Sequence, residues 1–85
     1  MKEIKYVVTD PLGIHARPAG LLVKAAAGFK SAITLDNGVK KADAKRIMAV
    51  MSMGIKQGNE ITVTVEGEDE DAAAAAIETF LKENV

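Results

Sequence analysis

Apolar and polar positions alternate along three stretches of the chain, and such alternation is typical of strands with one buried face. These stretches cover residues 4–8, 32–35 and 61–66, of which the last is the most regular. Asn37-Gly38 follows the second stretch and leads to Val39. An Asn-Gly pair between short strands favours a tight turn, so the sequence predicts a β-hairpin at this point.

Three other stretches have helical spacing. Residues 16–27 predict a helix with Pro18 in its first turn and Gly28 as a C-terminal stop. Residues 45–53 predict a short second helix closed by Gly54, and Asp69 opens a third whose inner stripe is Ala73, Ile77, Phe80 and Leu81. The order βαββαβα predicts an α+β fold, a four-stranded antiparallel sheet with three helices on one face.

The length and composition of the chain limit the classes of protein to which it can belong. At 85 residues the chain is expected to form one domain, residues 1–85, with its chemistry near the surface. With no Cys and one His, we expect no disulfide and no metal site. No apolar run approaches the roughly 20 residues of a membrane span, and the first residues lead into a strand rather than a signal peptide. We therefore expect a cytoplasmic protein with no membrane association.

Charge is distributed unevenly along the chain. Residues 1–58 carry ten basic and four acidic side chains, a balance of +6, whereas residues 59–85 carry one and eight, a balance of −7. The first part then favours acidic partners, although the acidic segment can also be one solvated helix face. With one Tyr and two Phe for base stacking and a net charge of −1, nucleic-acid binding is not expected.

His15, the only imidazole, precedes the first predicted helix, where a lone histidine is most often an ordinary surface or core residue. Here, however, the unpaired N–H groups of the helix start, at Ala16 and Arg17, favour an anion at the same point. The Arg17 guanidinium adds donors suited to phosphate oxygens, and a ring nitrogen can attack phosphorus. The chain has no P-loop and no acidic cluster for Mg²⁺, so these residues indicate a phosphoryl carrier without a cofactor rather than a kinase.

The second predicted helix is apolar nearly all round, in Ile47-Met48-Ala49-Val50-Met51-Ser52-Met53. A two-turn surface helix normally has an apolar stripe, so this helix is either fully buried or presents a partner-binding surface. Leu21 extends that surface in the second interpretation, and positive charge rims it at Lys24, Lys45, Arg46 and Lys56.

The sequence resembles the HPr family, the histidine-containing phosphocarriers of the bacterial phosphoenolpyruvate:sugar phosphotransferase system. The resemblance covers nearly the whole chain and rests on two blocks, Gly13-Ile14-His15-Ala16-Arg17-Pro18-Ala19 and residues 47–54. It implies an open-faced β-sandwich.

The resemblance also implies a function. By this resemblance, His15 is expected to take a phosphoryl group on Nδ1 from phosphorylated enzyme I and to pass it to IIA domains of sugar permeases, while Arg17 stabilises the phosphohistidine. The protein then acts as a stoichiometric carrier rather than an enzyme, and we expect a monomer. The partner-binding residues are expected to be Leu21, Lys24, Arg46, Ile47, Met48 and Met51.

Two positions depart from the pattern of many relatives. A regulatory serine immediately before the Ile-Met block is replaced by Arg46, and a serine found at position 12 in some relatives is Leu12; the only serines are Ser31 and Ser52. Regulation by serine phosphorylation is therefore not expected. The alternatives are a regulatory phosphocarrier in a relay not coupled to sugar import, and an interaction module that leaves His15 and Arg17 without a purpose.

Overall fold

A computed structural model describes all 85 residues of the chain. The observed order of elements is the predicted βαββαβα. In chain order the elements are β1 (Lys2–Val7), α1 (Ala16–Ala27), β2 (Ala32–Asp36), β3 (Lys41–Asp43), α2 (Ile47–Ser52), β4 (Glu60–Glu66) and α3 (Glu70–Asn84).

The four strands form one antiparallel sheet in the order β1-β4-β2-β3. The register places Ile4 opposite Val63, Val63 opposite Leu35, and Leu35 opposite Ala42. These four side chains are all buried, so they form an apolar row across the face that the helices cover. Side chains alternate between faces along a strand, so Thr34 of β2 and Thr62 and Thr64 of β4, which neighbour the buried positions in sequence, point to the other face.

The helices cover one face of the sheet. Helix α1 packs against both α2 and α3, while α3 also packs on β1 and β4 and α2 on β3. Leu22 of α1 and Ile77 of α3 are fully buried in the resulting core. The other face of the sheet has no covering layer, which confirms the predicted open-faced α+β sandwich. None of the three helices combines the length and apolar character that crossing a membrane requires.

Two of the predicted boundaries that differ from the structure have a local cause. Helix α2 begins at Ile47 rather than at residue 45, because Asp43 forms a turn in which its carboxylate accepts the Lys45 N–H and its carbonyl the Arg46 N–H. The predicted hairpin is present, but its loop spans residues 37–40 and β3 begins at Lys41. The Asn37 side-chain oxygen accepts two loop N–H groups and holds this wider loop closed.

Helix α3 begins at Glu70, with Asp69 as its N-cap residue. Asp69 does not cap the helix with its side chain. Its carboxylate instead accepts the Ser31 hydroxyl and the N–H groups of Lys30 and Ser31, the latter two at 2.8 and 2.9 Å. These hydrogen bonds, that from the Ser31 hydroxyl first, lower the pKa of Asp69 below its ordinary value of 3.8. Asp69 therefore ties the start of α3 to the segment between α1 and β2.

Candidate functional site: the His15 cleft

The loop before α1 is folded by its own polar groups. The Asp10 side chain accepts the Leu12 N–H at 2.8 Å, and the Asp10 carbonyl accepts the Gly13 N–H at 2.9 Å. Gly13 has a φ of +65°, a left-handed conformation that residues with a side chain adopt only with strain. The turn therefore reverses the chain immediately before His15.

Gly13 and Ile14 rest on the segment that follows α2. The Ile14 N–H donates to the Ile55 carbonyl at 3.1 Å. A Cβ atom at Gly13 would lie 2.2 Å from the same carbonyl oxygen and 2.7 Å from the Lys56 Cα, so only glycine fits there. These contacts with Ile55 and Lys56 fix the backbone that leads into His15.

His15 is the N-cap residue of α1, in an extended conformation with φ of −96° and ψ of −170°. Its carbonyl accepts the Ala19 N–H at 2.9 Å and so begins the helix. Its half-buried imidazole forms no capping hydrogen bond, and no other group in the protein hydrogen-bonds to it. Both ring nitrogens are therefore available to a ligand.

The start of α1 presents several free donors beside the ring. The N–H groups of Ala16 and Arg17 donate to no backbone carbonyl, and Pro18 has no N–H. The Arg17 side chain is exposed and forms no ion pair. Amide and guanidinium donors without protein partners are suited to the oxygens of a phosphoryl group.

His15 and Arg17 line one shallow cleft of about 270 Å³, as the sequence interpretation requires. Sequence reasoning missed other residues that line it, in particular Asp10, Glu83 and Asn84. The two residues of α3 are distant along the chain, and only the antiparallel packing of α1 and α3 brings them here. The acidic end of the sequence was a partial signal, although it did not indicate a place beside His15.

Backbone hydrogen bonds hold the end of α3 at the cleft. The Val85 carbonyl accepts the N–H groups of Thr9 and Asp10 at 2.7 and 3.0 Å, and the Val85 side chain is buried. The same interaction fixes the start of the loop that carries His15. The end of α3 and the His15 loop therefore form one connected edge of the cleft.

A second feature near α1 is an apolar surface, here called the α1–α2 patch. Its members are exposed large apolar side chains, with exposed fractions of 43, 39, 76 and 41% for Leu21, Ile47, Met48 and Met51. Val50 of α2 and Met53 immediately after it are buried, so α2 is divided between core and solvent rather than fully buried. An apolar group of this kind on a surface helix is typical of a partner-binding site.

Three of the four cations predicted around this patch are exposed, namely Lys24, Arg46 and Lys56. The fourth prediction was wrong. The Lys45 ammonium donates to the Phe29 carbonyl at 2.8 Å, and its side chain lines a different concave surface together with Lys30 and Lys41.

Comparison with known proteins places the chain in a family. The family model for the PTS HPr component phosphorylation site matches residues 2–83. The phosphocarrier protein HPr of Lysinibacillus sphaericus is 51% identical over 83 residues, covering 98% of this chain and 94% of that protein. The solved histidine-containing phosphocarrier protein of Mycoplasma superposes with a TM-score of 0.94 at 41% identity, covering 96% of this chain and 93% of the other.

The fold and the matched sequence define a small phosphocarrier of the phosphotransferase system. The chain belongs to the HPr family. A further relative, a dimer of HPr from Thermoanaerobacter tengcongensis, is similar with a TM-score of 0.77 and 40% identity, covering 98% of this chain and 95% of the other. Members of the family thus include a dimer, and the expected monomeric state stays a prediction.

Proposed function

We propose that this protein accepts a phosphoryl group on His15 from phosphorylated enzyme I and passes it to IIA domains of sugar permeases. The observation that carries the proposal is the free His15 ring in a cleft shared with Arg17, beside two unpaired helix N–H groups. Family membership supports the phosphocarrier class. The partners and the sugar-uptake role come from the resemblance.

The transfer uses few groups of this chain. The lone pair of the unprotonated Nδ1 of His15 forms a bond to phosphorus as the donor's P–N bond breaks, and that electron pair stays on the donor's ring nitrogen. The proton displaced from the His15 ring passes to the donor ring or to solvent. The N–H groups of Ala16 and Arg17 and the Arg17 guanidinium stabilise the charge that develops on the phosphoryl oxygens. In the second transfer His15 is the donor: a nucleophile of the IIA domain bonds to phosphorus, and the electron pair of the breaking P–N bond stays on the His15 ring.

The α1–α2 patch is proposed to bind both partners in turn. Methionine side chains adapt to different apolar surfaces, and the exposed cations Lys24 and Arg46 favour an acidic partner. On this proposal residues 1–85 act as one cytoplasmic domain that is monomeric and used stoichiometrically, without a cofactor or a reaction of its own. Light scattering at the working concentration tests the monomeric state against a dimer.

Serine phosphorylation is proposed to be absent. Arg46 occupies the position before the Ile-Met block and offers no hydroxyl group. Ser31 is buried with its hydroxyl bonded to Asp69, and the Ser52 hydroxyl donates to the Ala49 carbonyl. Acid-stable phosphate on Ser31 or Ser52 after treatment with a serine kinase of the HPr-directed type would contradict this.

The test of the main proposal is incubation with enzyme I and phosphoenolpyruvate, followed by intact mass measurement. We expect one added phosphoryl group that survives base and is lost in acid, because the P–N bond of phosphohistidine is acid-labile. His15→Ala should remain folded and unlabelled. An acid-stable label, or labelling of the His15→Ala variant, contradicts the assignment.

Transfer from the labelled protein distinguishes the two relays. Loss of the label to purified IIA domains of sugar permeases supports the sugar-uptake role. Labelling by enzyme I without transfer to any of these domains favours the alternative, a regulatory phosphocarrier in a relay not coupled to sugar import.

A further inference from the structure

The His15 cleft contains two carboxylates whose charge opposes that of a phosphoryl group. Asp10 on the loop and Glu83 on the last turn of α3 line the cleft together with His15 and Arg17. Neither carboxylate forms an ion pair, and Glu83 accepts no side-chain hydrogen bond. Asp10 accepts only the neutral Leu12 N–H. The cleft therefore combines two carboxylates with one guanidinium.

A phosphoryl group adds about two negative charges at neutral pH. Repulsion from the carboxylates raises the free energy of the phosphorylated state relative to the free imidazole, whereas attraction to Arg17 lowers it. We infer that Asp10 and Glu83 raise the phosphoryl transfer potential of His15, so that the cleft holds the group less tightly than its donors alone would allow. The inference rests on the proposed function and assigns these residues a tuning role within it.

Loss of the group to water reports this effect without a partner protein. The water oxygen bonds to phosphorus, the P–N bond breaks, and its electron pair stays on the ring nitrogen. One proton of the water passes to that nitrogen, and inorganic phosphate leaves with the other. Because negative charge leaves the cleft, relief of repulsion accelerates this step.

Phosphoramidate can load the protein without enzyme I. The His15 ring nitrogen bonds to phosphorus, the P–N bond of phosphoramidate breaks, and the electron pair leaves on ammonia. The ammonia takes up the proton displaced from the ring and departs as ammonium. After removal of the reagent, ³¹P NMR at neutral pH and low salt gives the hydrolysis rate of the phosphohistidine.

We expect Glu83→Gln and Asp10→Asn each to slow hydrolysis by about 3-fold, as for charges screened across a water-filled cleft. The asparagine oxygen can still accept the Leu12 N–H, so the loop is retained. Glu68→Gln is the matched control, since it removes the same charge at the other end of α3. The 15 residues of that helix place Glu68 about 20 Å from Glu83, so its repulsion of a group in the cleft is several-fold weaker even at low salt.

Ionic strength separates charge from a structural role. If charge is the cause, the hydrolysis rates of the two variants should approach the wild-type rate as salt is raised. A rate difference caused by an altered loop would remain at high salt. Variants that match the wild type at low salt, or a Glu68→Gln protein that changes as much, would overturn the inference and leave the proposed function standing. A wild-type protein that takes no acid-labile phosphate from phosphoramidate or from enzyme I overturns both.

Discussion

Arg17 is positioned to act on a phosphoryl group rather than on the fold, because its exposed side chain has no ionic partner. We expect Arg17→Ala to slow phosphoryl transfer by about 10-fold or more, equivalent to about 1.4 kcal/mol of transition-state stabilisation. Rapid-quench measurement with phosphorylated enzyme I gives the rate, and thermal unfolding should be unchanged. Lys41→Ala removes an exposed cation beside the other concave surface, outside both the cleft and the α1–α2 patch, and is the matched control. Equal transfer rates for Arg17→Ala and wild type would exclude the role.

Asp69 provides a prediction about pH. Its lowered pKa means that the ionised carboxylate stabilises the folded state above about pH 3.8, and that this contribution is lost as the pH falls toward the lower folded value. Asp69→Asn should therefore have a smaller free energy of unfolding at neutral pH, and its difference from wild type should narrow in acid. Urea unfolding from pH 7 down to pH 3 measures both.

Ser31→Ala removes the hydroxyl that contributes most to this pKa shift. The double variant with Asp69→Asn should lose less stability than the two single variants together, because both changes break the same interaction. Additive losses, or a difference that does not depend on pH, would show that Asp69 stabilises the protein by another route.

Residues of the site differ in how far sequence alone could reveal them. His15, Ala16 and Arg17 are consecutive, so the geometry of one helix start brings their groups together and could be predicted. Glu83 could not, because its place depends on how α3 packs. Ser31 and Asp69 are 38 residues apart, and no local pattern indicates their hydrogen bonds.

Among the elements, α2 provides a test of the α1–α2 patch. Met48 is 76% exposed, so an aspartate there should cost little folding free energy but should be desolvated against an apolar partner. We expect Met48→Asp to raise the apparent KM for this protein in the enzyme I reaction by about 10-fold or more. Met53→Asp is the contrasting variant and should unfold the protein, since Met53 is buried. A Met48→Asp protein that is unfolded, or fully active, contradicts the proposed surface.

The close contact of Gly13 with the backbone of Ile55 and Lys56 gives a second prediction, about stability. Gly13→Ala combines a strained positive φ with a clash against the Ile55 carbonyl, so it should destabilise the protein by about 2 kcal/mol or more. Gly38→Ala has the strain without the clash, because nothing lies within 4 Å of its added Cβ, and should cost only about 1 kcal/mol. Denaturant unfolding compares them. Similar losses for both would mean that the Ile55 contact contributes nothing.

Element boundaries were predictable where a local signal ends them. The bounds of α1 agree with the sequence prediction because Pro18 and Gly28 mark its two ends. The bounds of α2 do not, since the Asp43 turn stops the chain from becoming helical before Ile47. The hairpin at Asn37 was expected as a tight turn, yet the Asn37 side chain stabilises a longer loop.

At the scale of the whole molecule, α1 packs against both the acidic α3 and the helix α2 with its basic surroundings. Arg46→Glu should weaken binding to enzyme I by about 3-fold, and raised salt should reduce this loss because the Debye length is already only about 8 Å at physiological ionic strength. Lys41→Glu makes the same charge change beside the other concave surface and should have little effect. Titration calorimetry at two salt concentrations decides this. Equal losses of affinity for both variants would show that only the net charge of the protein matters, and not the position of Arg46.

The strand order β1-β4-β2-β3 was beyond sequence reasoning, since alternation reveals strands but not their neighbours. That order has a consequence for biosynthesis. Because β4 is the partner of both β1 and β2, only the β2–β3 hairpin can form before residues 60–66 have left the ribosome. Long-range pairings of this kind are slow to nucleate, and until then the nascent chain keeps β1 unpaired. A chain stalled during translation upstream of β4 would therefore expose its apolar strands to chaperones and proteases, and the sheet would close only late in synthesis.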